Sequence, residues 1–281
     1  MALSQRQKES IKRRQNEMQT KSRRRRPAKW LFPHSVEREY QKILKKYVDV
    51  YKTAVDLFLT PELDNLVNEA QGYRPDSQRI DAWPDKIAAL VASVQVYFNE
   101  NAPTPEVFIP IIATDISSYN QKEFKKVMKS VLQVDVFIAE PWLAVETSSF
   151  VRENVALVKS IEGQSLTQVE GIVQRGVRSG IRAETISSQI SDQLGVAGRR
   201  ADLIARDQVG KFNGQLTELR QEELGVDKFR WVTAGDERVR PEHAMLDGQI
   251  FEWKNPPSEG IPGESVMCRC YAEPVLDDLL A

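Results

Sequence analysis

The chain has 281 residues, 41% of them hydrophobic and 8% aromatic, and a formal net charge of −1. Such a length allows two modest domains or one elongated one, and the composition is that of a soluble globular protein. No apolar run nears the roughly 18 residues of a membrane span, and the basic N-terminus lacks the apolar core of a secretory signal, so synthesis in the cytoplasm is expected.

The near-zero charge hides a separation. Residues 1–29 carry eleven Lys/Arg against Glu9 and Glu17, a net of +9, which leaves −10 for the remainder. Residues 1–28 have no apolar stripe and read as a basic arm, disordered or transiently helical. Its charges, among them Arg13, Arg14, Arg23, Arg24, Arg25 and Arg26, suit double-stranded DNA bound without regard to sequence through its phosphates. An acidic protein surface is the competing partner. No aromatic precedes Trp30, so base stacking is not expected. Pro27 and Pro33 bracket Trp30-Leu31-Phe32, an apolar knot suited to stapling the arm onto the body.

From Ser35 the pattern turns helical. Val36, Tyr40, Leu44, Tyr47, Tyr51, Val55 and Phe58 recur at helical spacing until Pro61. A second helix is expected from Pro84, with Ile87, Val91, Val94 and Tyr97 on one face. Residues 103–112 hold three prolines, too many for a plain helix interior, and helix resumes over Gln121–Leu132. Beyond Pro141 the stripe Val151, Val155, Val158 marks one helix. A capping box at Ser165 and Gln168 opens the next, which Gly180 ends. Ile186, Ile190 and Leu194 mark a third, and Arg199–Leu224 a fourth that stops at Gly225.

After Gly225 the composition changes. Phe229–Thr233 and Gln249–Trp253 are strand-like, with the turn signals Ala-Gly-Asp and Leu-Asp-Gly between them and Asn-Pro-Pro and Ile-Pro-Gly after them. The expected class is α+β: a mainly helical, elongated body, a small β-rich C-terminal unit and the basic arm. The segments are 1–34 (arm and linker), 35–140 (helical), 141–225 (helical) and 226–281 (β-rich).

Residues 230–274 carry an ordered set of motifs: Trp231, then Asp236-x-Arg238-Val239-Arg240-x-x-His243, then Leu246-Asp247-Gly248, then Pro262-Gly263, Cys268-Arg269-Cys270 and Pro274. This set resembles the signature of the phage Mu F-like head morphogenesis family, and the likeness extends over about 140–275. One departure is Ala205-Arg206-Asp207-Gln208, where the family has an Arg-Thr-Glu helix start. The resemblance implies a low-copy minor head protein inside the virion. It would lie near the portal or the inner capsid surface, assisting procapsid assembly and DNA packaging or delivery without catalysis. Some relatives continue into toxin or ADP-ribosyltransferase segments after the Cys-Arg-Cys unit; no such extension is expected before Ala281.

Only two cysteines are present, Cys268 and Cys270. One residue apart, they close almost no loop and make no disulfide scaffold. With His243 and Asp236 or Asp247 they supply the ligand types of a structural Zn²⁺ site; the competing reading is two small hydrophobes and a hydrogen-bonded histidine. Trp231, Asp236, Arg238, Arg240, Asp247, Gly248 and Arg269 are read as structural motif residues. The arginines form either an anion-binding cluster or an internal salt-bridge network. The alternative function is a metal-dependent nuclease or hydrolase with a basic DNA arm. It needs an open metal position and a general base, and the chain has only two histidines.

Overall fold

A computed structural model of the chain describes Glu9, residues 27–72 and residues 83–276. The elements are α1 (His34–Phe58), a 3₁₀ turn (Thr60–Glu62), α2 (Leu63–Gln71), α3 (Trp83–Asn101), α4 (Pro105–Leu132), α5 (Leu143–Arg178), α6 (Ala183–Leu224), β1 (Lys228–Val232), α7 (Pro241–Leu246), β2 (Ile250–Glu252) and β3 (Tyr271–Val275). The class is α+β, mainly helical with one small sheet. Arg13, Arg14, Arg23, Arg24, Arg25 and Arg26, expected to form the DNA-binding arm, lie outside the described residues.

Three helical expectations are corrected. Residues 103–112 do not interrupt helix, because Pro105 takes the first position of α4 and Pro110 sits early enough to forfeit only its bond to the Glu106 carbonyl. Burial of Ile109, Ile112, Ala113 and Ile116 offsets that loss. Second, Ser165 caps no helix: it is 3% exposed, in line with Ile161 and Val169 midway along the continuous α5. Third, α6 runs unbroken through 195–199, because Ala197, Ala201 and Ile204 extend the buried stripe of Ile186, Ile190 and Leu194.

The chain divides into two compact units, each gathered from distant segments: Met1–Glu37, Pro110–Val151 and Arg206–Ala281 in one, Arg38–Ile109 and Arg152–Ala205 in the other. Tyr47 meets Phe98 edge-on at 4.8 Å in the second unit, and the Tyr40 hydroxyl donates to Asn154 Oδ1 at 3.1 Å. Gly180, at φ +64°, ends α5 there.

The first unit holds the motif residues. Trp30 is buried among Phe124, Met128, Leu132, Val136, Leu224 and Val226, while the Ala28 N–H donates to Ser130 Oγ at 2.9 Å and the Leu31 N–H to Glu123 Oε2 at 3.2 Å. These contacts fix the chain where the arm meets the body. The sheet is antiparallel, in the order β2-β1-β3. Central β1 turns Phe229 and Trp231 inward, opposite Phe251 and Pro274 and opposite Ala272. Pro274, which has no N–H to give a ladder, lies on an edge strand.

Candidate functional site

The site begins at Trp231, fully buried on β1, beside which Phe229 and Trp253 lie 4.2 Å apart. Two connections leave this small core. The first, after β1, contains Asp236, whose Oδ1 accepts the Arg238 N–H at 3.1 Å and tightens the turn. It then enters α7, whose first position is Pro241. That single short helix carries His243, 2% exposed, with its ring 5.2 Å from Trp231 and nearly perpendicular to it. Asp247 closes the connection by accepting the Thr233 N–H and hydroxyl at 2.7 and 3.0 Å. Gly248, at φ +80°, makes the turn into β2 and donates to the Trp231 carbonyl at 2.8 Å.

The second connection, from β2 to β3, is pressed onto α6. A Cβ on Gly214 would lie 2.6 Å from the Pro262 carbonyl oxygen, and one on Gly210 would lie 3.2 Å from the Cys268 oxygen. Only glycines admit the loop at this distance. Asp207 Oδ1 accepts the Met267 N–H at 3.1 Å, and Met267 takes the left-handed conformation at φ +58°. The turn delivers Cys268 and Cys270, 7% and 8% exposed, to the inner face of the sheet.

His243, Cys268 and Cys270 therefore converge. Each sulfur lies 3.5 Å from His243 Nδ1, and the three ligand atoms fall within 4.8 Å of one another. The thiols are electronically unlike. Cys270 donates to Cys268 and holds its thiol below the usual range, while the same bond, with burial, raises Cys270. On the far side of the imidazole, Nε2 is buried without a hydrogen bond, and Glu259 Oε2 is 4.0 Å away. Chemically this is a soft-metal donor set or a thiol pair sharing a proton.

Asp236, expected as a further ligand, is exposed and is not among the converging groups. Arg238, Arg240 and Arg269 neither gather into one anion-binding cluster nor form one salt-bridge network. Arg240 donates to the Val266 carbonyl. Arg269 reaches back to Glu37 Oε1 at 3.4 Å, where Arg206 Nε also binds at 3.1 Å. Arg238 is exposed, and among the described residues no ion pair joins it to an acidic group. Sequence reasoning missed Glu37, Glu259 and the glycine cradle. Gly210-x-x-x-Gly214 was a readable signal of close approach, and no local pattern marked the two glutamates. The departure at Arg206-Asp207 also finds its place, since both side chains hold the segment around the Cys-Arg-Cys turn.

Residues 167–273, which include the converging groups, match the family described as Phage Mu protein F like protein. An uncharacterised protein of Haemophilus influenzae is 30% identical over 245 residues, covering 85% of this chain and 53% of that protein. An uncharacterised protein of Methanocaldococcus jannaschii is 35% identical over 107 residues, 38% of this chain and 17% of its own length. The chain thus spans about half the length of the first relative and about a sixth of the second. No solved structure matches it. Among the described residues no helix is long and apolar enough to cross a membrane.

Proposed function

Because residues 167–273 form a Phage Mu protein F-like domain, we propose that the chain is a minor head protein of a tailed bacteriophage. It serves head morphogenesis near the portal, inside the virion, and catalyses no reaction. The observation that carries this reading is the ordered motif set from Trp231 to Cys270, which folds as one unit whose parts brace each other. Asp247 and Gly248 hold the β1–β2 connection, the glycine cradle holds the β2–β3 connection, and the histidine and cysteines join the two. Burial of all three converging side chains supports a structural rather than a hydrolytic role, because a hydrolytic centre must admit substrate and water.

The basic arm fits packaged DNA, and the acidic remainder of the chain fits docking to protein. Arg175 of α5 and Glu184 of α6, both exposed, with exposed Arg182 in the turn before α6 and half-buried Glu170 of α5, are the proposed contacts to the portal. Fractionation of purified heads tests the reading: the protein should co-purify with portal and capsid protein at a low, constant stoichiometry. Recovery only in the soluble lysate, with heads forming normally in its absence, would remove it.

A further inference from the structure

A second role of the converging side chains follows from their geometry. We propose that His243, Cys268 and Cys270 bind one Zn²⁺ ion, which clips α7 to the turn before β3.

The distances carry this assignment. Tetrahedral zinc with bonds of about 2.3 Å to sulfur and about 2.0–2.1 Å to nitrogen sets each sulfur about 3.5 Å from the nitrogen. Both Cys268 Sγ and Cys270 Sγ stand at 3.5 Å from the same Nδ1. Hydrogen bonding alone accounts poorly for this arrangement, because one imidazole nitrogen has one lone pair or one proton to share between two sulfurs. A cation in the middle engages all three atoms at once.

Charge balance agrees. Binding releases the two thiol protons to solvent, leaving two thiolates, a neutral imidazole and a dication, with a net charge of zero. A neutral centre is the kind that side chains 2%, 7% and 8% exposed can hold. A carboxylate suited to the outer position lies near, though beyond hydrogen-bond distance. A metal-bound histidine donates its other N–H to a carboxylate or carbonyl, and the buried Nε2 of His243 has no hydrogen-bond partner and faces Glu259 Oε2 at 4.0 Å. Among the described residues no fourth side-chain ligand joins the group, so His243, Cys268 and Cys270 supply three of the four positions of the tetrahedron.

The clip suits this part of the fold. Two of the three strands that hold the motif unit have five residues and the third has three, and the two connections between them are long and rich in turns. A metal ion tying one connection to the other restrains both, as it does in other small units with few strands.

The test uses the full chain, purified under reducing conditions. Elemental analysis should find about one zinc per chain after dialysis. Replacement by Co²⁺ should give a thiolate-to-cobalt charge-transfer band with the intense visible bands of tetrahedral coordination. A strong chelator should make both cysteines reactive to a thiol reagent without denaturant and change the fluorescence of Trp231 and Trp253. Cys270→Ser should weaken zinc retention at least tenfold in competition with a chromophoric chelator. If that variant does not fold, the wild-type cobalt titration decides alone. A chain that is zinc-free as isolated, and shows no charge-transfer band with stoichiometric Co²⁺, overturns the assignment. Neither result depends on whether the protein is found in phage heads.

Discussion

Arg220 and Glu140 form a two-pronged ion pair inside the first unit: Nε to Oε1 at 2.7 Å and Nη2 to Oε2 at 3.2 Å, with the guanidinium fully buried. The remaining N–H groups go to the Ser117 carbonyl, the Asn120 side-chain oxygen and the Ser117 hydroxyl. All five guanidinium donors are therefore used. Asn120 continues the network to Asn213 and Thr217 of α6. Removal of either charge strands the other in a dry interior. Arg220→Met or Glu140→Leu alone should cost about 3–5 kcal/mol, and the double variant should recover part of the loss. Urea unfolding of the three variants forms the cycle that checks this; costs that simply add would mean the pair is not coupled.

None of that network was legible in advance, and the reason is physical. The helical stripes could be read because burial repeats every three to four residues, as in Tyr40, Leu44, Tyr47 and Tyr51. Strands β1 and β2 could be read from their aromatic and branched residues. Strand β3, Tyr-Ala-Glu-Pro-Val, shows no such signal because its place is set by pairing with β1, across a connection that also holds α7 and β2. Partnerships such as Arg269 with Glu37 join opposite ends of the chain, and only the fold brings them together. The histidine and cysteines were readable as a donor set because their chemistry is rare in this sequence. Asp236 was a wrong companion in that set because carboxylates are common and most serve turns, as this one does.

The two kinds of helical glycine in α6 should respond to alanine with opposite sign. At Gly214 the added methyl would stand 2.6 Å from a backbone oxygen that is itself held by the loop. Gly214→Ala should therefore destabilise by about 1–3 kcal/mol. At Gly198 nothing lies within 4 Å of the new atom, and helix propensity alone acts, so Gly198→Ala should stabilise by about 0.5–1 kcal/mol. Thermal unfolding of both variants compares them. Equal effects at the two positions would contradict the close approach of Pro262 to α6.

Glu218 should make stability fall as pH rises. Burial first, then the neighbouring charges of Glu222 and Glu264, raise its carboxyl to about 7 from 4.5. The folded state thus keeps a proton that the unfolded state loses. Stability from this group is complete below about pH 4.5, declines between there and about pH 7, and stays low above. Glu218→Gln removes the ionisable group, so the variant should match the wild type near pH 4.5 and exceed its melting temperature at pH 8. Each kcal/mol recovered corresponds to about 2–4 °C for a chain of this size. Calorimetry at the two pH values is sufficient, and a constant difference between variant and wild type would mean that Glu218 ionises normally.

The proposed role of the basic arm has a clean deletion boundary. Ala28 is bonded to Ser130 and Trp30 is 3% exposed in the core of the first unit, so a cut within 27–33 would disturb the fold. Removal of residues 1–26 leaves those contacts whole and still deletes ten of the eleven basic residues that precede residue 30. The truncated chain should keep the melting temperature of the full one. If the arm neutralises about six phosphates, the full chain's affinity for duplex DNA should fall with a slope of about −5 in a plot of log K against log salt. The truncated chain, whose remaining charge is acidic, should bind duplex DNA at least a hundredfold more weakly at low salt. Affinity should not depend on base sequence, because phosphate contacts carry none of that information. Equal binding by the two chains would move the DNA contact to the body. Loss of portal binding with unchanged DNA affinity would instead identify the arm as a protein-docking segment.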